Sequence, residues 1–336
     1  MSHSPRPRLA GAFTLAASLM LATAGMPITA QAETTLRLIA SWNAPNPFVP
    51  AIEQVFTKGL ADASKGEIRV QRSGAEVVPV FEQFQPLAAG VFDLAYTHMS
   101  YHQATTGVGM VLEAMKPEPE KRREVGITQW VDEFYHKRFG VRVISIIPGS
   151  GYYFLLREPL AADNTLKGRK MRSNPLMDGI IRELGGIPVT MGVQDIYSAA
   201  QKGVIDGGGM PTYIAADYKY YEVLKYIAGP PFGDSNTVIL ANAKKFDALS
   251  PALQKIILEE GRKMERYGMG VSDRLQAQDT ETLMKQGMKV SNFDAPSRAK
   301  MQRAFTDGIY ANAMKSTGDD VKAFWEFARA RNMINE

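Results

Sequence analysis

The sequence predicts an α/β protein with parallel sheet layers, and three observations carry that expectation. Short apolar runs alternate with helical segments over residues 167–211. Those segments repeat their apolar residues at helical spacing: Met177, Ile181 and Leu184 in one, Val193, Ile196, Tyr197 and Ala200 in the next. The same strand–helix–strand order opens the chain after residue 33, as a doubly wound layer does.

The first 32 residues read as an export leader. Arg6 and Arg8 precede an apolar run over 9–26, and Ala30-Gln31-Ala32 offers small residues for cleavage near Ala32/Glu33. That run is too short and too alanine-rich for a good membrane span, and no later stretch is long and apolar enough to cross a bilayer. The mature chain is expected to be exported and not membrane-embedded. Residues 1–32 hold two arginines and no acids, so 37 basic side chains remain against 35 acidic ones, which gives no case for a nucleic-acid partner. Cysteine is absent, so an exported chain must be held by its core, and this length suffices for one or two large ones.

In chain order, 35–41 is a strand leading into the turn-rich Trp42-Asn43-Ala44-Pro45-Asn46-Pro47, followed by a helix over 49–63 and a strand over 68–71. Trp42, Asn43 and Phe48, after the first strand, are candidate ligand neighbours. Residues 78–89 read as a helix ended by Gly90, with Phe81 at its N-terminus. A strand over 91–96 follows, with Tyr96-Thr97-His98 at its exit. Residues 120–139 form an amphipathic helix with Trp130 on the core face. After a strand over 141–147, Pro148-Gly149-Ser150-Gly151 is a hinge or a plain turn, and 152–157 begins a new strand.

Residues 169–172 make a short strand, 187–191 another and 203–211 a third, with helices between. A tyrosine-rich helix over 212–224 and a strand over 232–241 follow. Ser250-Pro251 opens a long helix to about residue 286, serine capping and proline in the first turn. A strand over 288–293 and helices over 297–332 end the chain. Arg172 closes a strand and precedes the Ser173-Asn174-Pro175 turn, where α/β layers bind anions. An arginine so placed grips a carboxylate through two parallel N–H bonds; the alternative is a surface pairing with Asp178 or Glu183.

Three local signals suggest an enzyme. Phe232-Gly233-Asp234-Ser235-Asn236 resembles the nucleophile block of Gly-Asp-Ser esterases, yet all four histidines precede Ser235, which reverses the required order. His98 and His102 are four apart, but lie at a strand exit without a third ligand, so no metal or cofactor is expected. Gly207–Gly209 lacks the lysine of a phosphate loop and is expected to permit close backbone packing.

Four blocks together carry a resemblance: Leu-Lys-Gly-Arg-Lys-Met-Arg at 166–172, Leu-Gly-Gly-Ile-Pro-Val-Thr-Met at 184–191, Asp-Ile-Tyr-Ser-Ala-Ala-Gln-Lys-Gly-Val-Ile-Asp-Gly at 195–207, and Tyr-Tyr-Glu-Val-Leu-Lys-Tyr at 220–226. In order and spacing the chain resembles the substrate-binding proteins of TRAP transporters, the C4-dicarboxylate-binding DctP type. The resemblance implies a periplasmic receptor of the two-lobed, type II-like binding-protein fold, with a ligand cleft between the lobes and a long helix bracing both. It implies lobe I at 33–149 plus about 238–277, and lobe II at 150–237 plus about 278–336. It implies no catalysis, and delivery of a small-molecule ligand to the membrane subunits of a TRAP permease; a sensor role is a variant.

Carried over residue by residue, Arg172 matches the family's carboxylate-gripping arginine. Tyr153, after Gly151-Tyr152, stands where a second arginine is common, Met210 replaces an asparagine, and Asp195 stands where the family has glutamate. The resemblance also places ligand contacts around Tyr96 and His98. These departures make the expected cleft less cationic and more apolar. A monocarboxylate with an apolar or aromatic body suits Arg172, Met210, Tyr153, Tyr213, Phe81 and Phe232, with Trp42, Tyr152 and Asn174 beside them. If Arg172 instead pairs with an internal acid such as Asp234, a small amine or zwitterion caged by rings is the alternative; a periplasmic hydrolase on the same scaffold is a third.

Overall fold

The structure, a computed structural model, describes residues 1–3, 33–43, 46 and 48–335. The leader expectation falls on residues 4–32, outside the described residues. The strands are β1 Thr34–Ala40, β2 Ile68–Ser73, β3 Leu94–His98, β4 Val141–Pro148, β5 Tyr152–Leu156 and β6 Lys170–Ser173. They continue with β7 Ile187–Thr190, β8 Gly207–Met210, β9 Tyr226–Phe232, β10 Asn236–Asn242 and β11 Lys289–Val290. They form two sheets, β2-β1-β3-β10-β4 and β11-β9-β5-β8-β6-β7.

Each sheet has the parallel half that the alternation predicts: β1 with β2 and β3, and β6 with β7 and β8. Each is completed by antiparallel strands. The chain leaves the first sheet after β4 and enters the second as β5, antiparallel to β8 and β9; it returns after β9 as β10, antiparallel to β3 and β4. Residues 149–151 and 233–235 are thus two crossings, the helix Pro251–Lys285 makes a third by leading from β10 to β11, and the fold is two-lobed α/β. A strand in place of a loop at 226–232 was hidden by Gly229-Pro230-Pro231, residues that ordinarily interrupt ladders.

Ser250 caps the long helix Pro251–Lys285, accepting from the Leu253 N–H. Gly261 and Gly268 leave it flat enough to lie on β4: a Cβ on either would come within 2.9 Å of the Ile144 oxygen or 2.5 Å of the Pro148 oxygen. Further along, Gln276 donates to the Tyr153 hydroxyl of β5 at 3.1 Å and accepts from Thr212 at 3.3 Å. One helix therefore touches both sheets.

Other expected elements differ as well, among them the helix over 212–224, which ends at Asp217. Gly126, at φ +83°, divides the predicted helix 120–139 into Pro119–Glu124 and Ile127–Phe139. Pro79 and Pro86 reduce the predicted helix 78–89 to turns and Phe84–Ala88, so Phe81 stands at no helix N-terminus. The C-terminal helix Gly318–Arg329, assigned above to the second lobe, packs on elements that follow β3 and precede β4. Trp130 stacks on Phe324 at 4.4 Å, and Met115 bridges to Ile334. Its apolar face carries Val321, Phe324, Trp325 and Ala328, all buried, each larger one contributing about 1.5–3 kcal/mol by leaving water.

Candidate ligand site

Arg172 enters the space between the sheets because of its neighbour in register. It pairs with Gly208 in β8, and a Cβ there would stand 2.7 Å from Arg172 Cβ, so only glycine leaves the arginine its place. The side chain is 3% exposed. Its Nε donates to the Met191 carbonyl at 3.1 Å and its Nη1 to the Gly209 carbonyl at 3.3 Å. Nη2 meets no acceptor at bonding geometry, although the Tyr101 hydroxyl stands beside the guanidinium. Among the described residues Arg172 forms no ion pair, with Asp178, Glu183 or Asp234 included: Asp178 accepts from Ser173, Glu183 pairs with Lys300, and Asp234 contacts Asn335. A buried cation without a carboxylate is an expensive arrangement that an arriving anion relieves.

Gly208→Ala is expected to overpack this contact at a cost of about 1–3 kcal/mol, while Gly270→Ala, where nothing lies within 4 Å, is expected to leave stability unchanged or slightly raised. Thermal melting of the two variants checks the contrast.

The cavity in front of Arg172 has a volume of about 40 Å³ and is walled by both sheets. That is space for little more than a few water-sized groups, less than the ring of a small organic acid occupies. Trp42 packs edge-on to Tyr96 at 5.1 Å and near Tyr101 at 5.9 Å; Phe48 meets Tyr213 across the cleft at 5.3 Å. Asn174, two residues after Arg172, is 5% exposed with its Oδ1 unpartnered. A larger groove of about 710 Å³ runs along the first two crossings, but its charged members, Lys116 and Asp234, are partly exposed and it holds no buried cation.

Of the twelve residues expected at the site, Trp42, Tyr96, His98, Tyr152, Arg172, Asn174, Met210 and Tyr213 line this cavity. Four do not. Tyr153 is one residue out of phase with Tyr152, so strand alternation turns it toward Gln276. Phe232 is buried among Phe154, Phe305 and Tyr152. Phe81 packs behind Tyr101 at 4.9 Å, and Asp195 is exposed beside the Ile196–Gln201 helix. Asn43 turns away to Glu76 at 2.7 Å. Tyr101, Asn46, Ser235 and Thr237 line the cavity without having been expected there. Ser235 had drawn attention only as a nucleophile; its place on the second crossing was the better signal.

His98 is neutral. Its Nδ1 accepts from the Ser100 N–H at 3.2 Å, which leaves the ring proton on Nε2, 3.4 Å from the Tyr152 hydroxyl and 3.5 Å from Glu113 Oε1. Burial, then the nearby His102 and Arg172, pulls its pKa down to about 3, and burial does the same to His102. Its neighbour His102 turns to Thr97 and packs on Phe84. Among the described residues no group of three His, Cys, Asp or Glu is placed to hold a metal.

Between about pH 3 and 6.5 the unfolded chain binds more protons at these two imidazoles than the folded chain does. Their contribution to stability is complete above pH 6.5 and is lost as pH falls toward 3, roughly 2 kcal/mol for each at pH 5. His102→Gln should flatten the decline in melting temperature between pH 7 and 5 by one proton's worth; an unchanged slope would contradict it.

Behind Tyr152 lies a buried chain that sequence inspection missed. Glu113, fully buried, accepts from the Tyr152 hydroxyl and from the Asn236 N–H, each at 3.1 Å. Arg122, also fully buried, donates to Asn236 Oδ1 at 2.7 Å and to the carbonyls of Leu112, Met115 and Lys116. Burial pushes the Glu113 carboxyl well above its ordinary range and brings Arg122 down to about 10, while the charges of each oppose those shifts. A lone glutamate inside Val108–Ala114, an otherwise apolar run, was the available signal.

Two α/β lobes joined by three crossings, with a buried arginine facing the space between them, are the architecture of the two-lobed solute-binding class. Residues 40–316 match the family of bacterial extracellular solute-binding proteins, family 7, and the chain belongs to it. Its relatives are TRAP solute-binding proteins. The C4-dicarboxylate-binding periplasmic protein DctP of Rhodobacter capsulatus is 25% identical over 229 residues, 65% of this chain and 63% of the relative. The chain spans about half the length of the first curated relatives that it matches: 39%, 52% and 45%. Among solved structures, an extracytoplasmic solute receptor of Bordetella pertussis binding pyroglutamic acid superposes with a TM-score of 0.78 at 18% identity, covering 88% of this chain and 99% of that one. A TRAP periplasmic solute-binding protein of Desulfovibrio salexigens with bound orotic acid superposes with a TM-score of 0.78 at 17% identity, covering 88% and 98%. Among the described residues no helix is long and apolar enough to cross a membrane.

Proposed function

We propose that the chain is a periplasmic receptor that captures a small monocarboxylate with an apolar or aromatic body and delivers it to a TRAP membrane permease, without chemical change. The observation that carries this reading is Arg172, 3% exposed, with an Nη2 donor that meets no acceptor and no ion-pair partner among the described residues. A single carboxylate fits it. Among the described residues that line the cavity Arg172 is the one arginine or lysine and burial disfavours the charged form of His98, so a dicarboxylate would set its other charge against Met210, the rings and neutral hydroxyls. Pyroglutamic and orotic acids, bound by the two structural relatives, each carry one carboxylate on a small ring. The amine reading loses its support, because it required Arg172 to be paired with an internal acid.

The ligand meets one lobe first and gains contacts with the other only on closure, so the closed form is selected by its higher affinity. The moving bodies are residues 33–149 with about 238–277, and 150–237 with about 278–317, with the C-terminal helix riding on the first. Incubation of the purified chain with bound monocarboxylate, followed by mass spectrometry, tests the receptor reading. The ligand is expected back unchanged; its conversion to product would establish the hydrolase instead.

A further inference from the structure

Among the described residues the Tyr96, Ser235 and Thr237 hydroxyls on the cavity wall meet no partner at bonding geometry, and neither do two complementary atoms: Arg172 Nη2, a donor, and Asn174 Oδ1, an acceptor. Their residues are 3% and 5% exposed, so water does not satisfy them freely. They stand two apart at the end of β6, roughly 7 Å between Cα atoms, and both reach the same cavity. A carboxylate satisfies only the first. Its oxygens brought against Asn174 Oδ1 would set lone pair against lone pair, and a closed cleft makes that unpaired acceptor costly. The acceptor calls for an N–H or O–H close beside the carboxylate. That donor is neutral, since the described residues that line the cavity include no aspartate or glutamate to meet an ammonium there.

We propose that the ligand carries a neutral hydrogen-bond donor on the carbon that bears its carboxylate, and that Asn174 selects for it. The inference rests on the monocarboxylate reading and narrows it to 2-hydroxy acids and cyclic 2-amido acids, with Arg172 holding the carboxylate and Asn174 accepting the hydroxyl or ring N–H.

Calorimetric titration of matched acids tests it: mandelate against phenylacetate, lactate against propionate, and pyroglutamate against its N-methyl derivative, each with the parent and Asn174→Leu. For the skeletons that bind, the donor-bearing member is expected to bind the parent about tenfold or more tightly. Asn174→Leu should bring each pair within about threefold while the member lacking the donor keeps its affinity. The parent ratios decide the matter even if the variant does not fold. Equal affinity within binding pairs, or tighter binding of the member without the donor, overturns the role of Asn174 and leaves the monocarboxylate reading standing. Binding by none of the six acids, alongside binding of amines or dicarboxylates, overturns both.

Discussion

Arg172→Ala is expected to weaken monocarboxylate binding by about 2–5 kcal/mol, a loss of one to nearly four orders of magnitude in Kd. The guanidinium is already oriented by two carbonyls, Met191 and Gly209, at 3.1 and 3.3 Å, so its third arm meets the anion without further ordering. Stability should change far less than affinity, because removing a buried cation that has no carboxylate partner offsets the two lost hydrogen bonds. Arg172→Lys keeps the charge but loses the fork, and an intermediate affinity is expected. Calorimetric titration beside thermal melting reads both quantities.

Arg122→Ala is expected to destabilise the fold by about 3 kcal/mol or more, lowering the melting temperature by roughly 6–12 °C. The substitution removes four hydrogen-bonded contacts from a fully buried guanidinium and strips Glu113 of its nearest cation. Glu113 then stays behind the Tyr152 wall without compensation, its pKa raised further. Adding Glu113→Gln to Arg122→Ala should therefore recover part of the loss, a coupling that a double-mutant cycle measures. A loss in the double variant equal to the sum of the two single losses would show that the two groups do not interact.

The fold class was legible because apolar runs and helical periodicity alternate so regularly between Leu166 and Pro211. Arg172 was legible for the same reason, as the last strand residue before a turn and a helix. Phase was harder to read. Nothing local decides which of Tyr152 and Tyr153 faces the cleft, because the two alternate across a sheet whose register is fixed by β8 and β9, more than fifty residues away. Phe232 was read as opening the returning strand, whereas it closes β9 inside an aromatic cluster. Arg122 stood in a segment read only for periodicity, and Glu113 in a stretch before residue 120 to which no element was assigned. Their meeting at Asn236 spans 114 and 123 positions, a coupling that no window of sequence reveals. Ser235 was conspicuous for the wrong chemistry, since a serine at a crossing between lobes faces the cleft whether or not it reacts.

The most direct test is a thermal-shift comparison of the purified protein against small monocarboxylates, dicarboxylates and amines. Ligand at about a hundred times its Kd adds roughly 2.7 kcal/mol to stability, enough to raise the melting temperature by several degrees. Such shifts are expected with monocarboxylates on small apolar or aromatic bodies, and none with amines. Shifts confined to amines, or larger with dicarboxylates than with any monocarboxylate, would contradict the monocarboxylate reading.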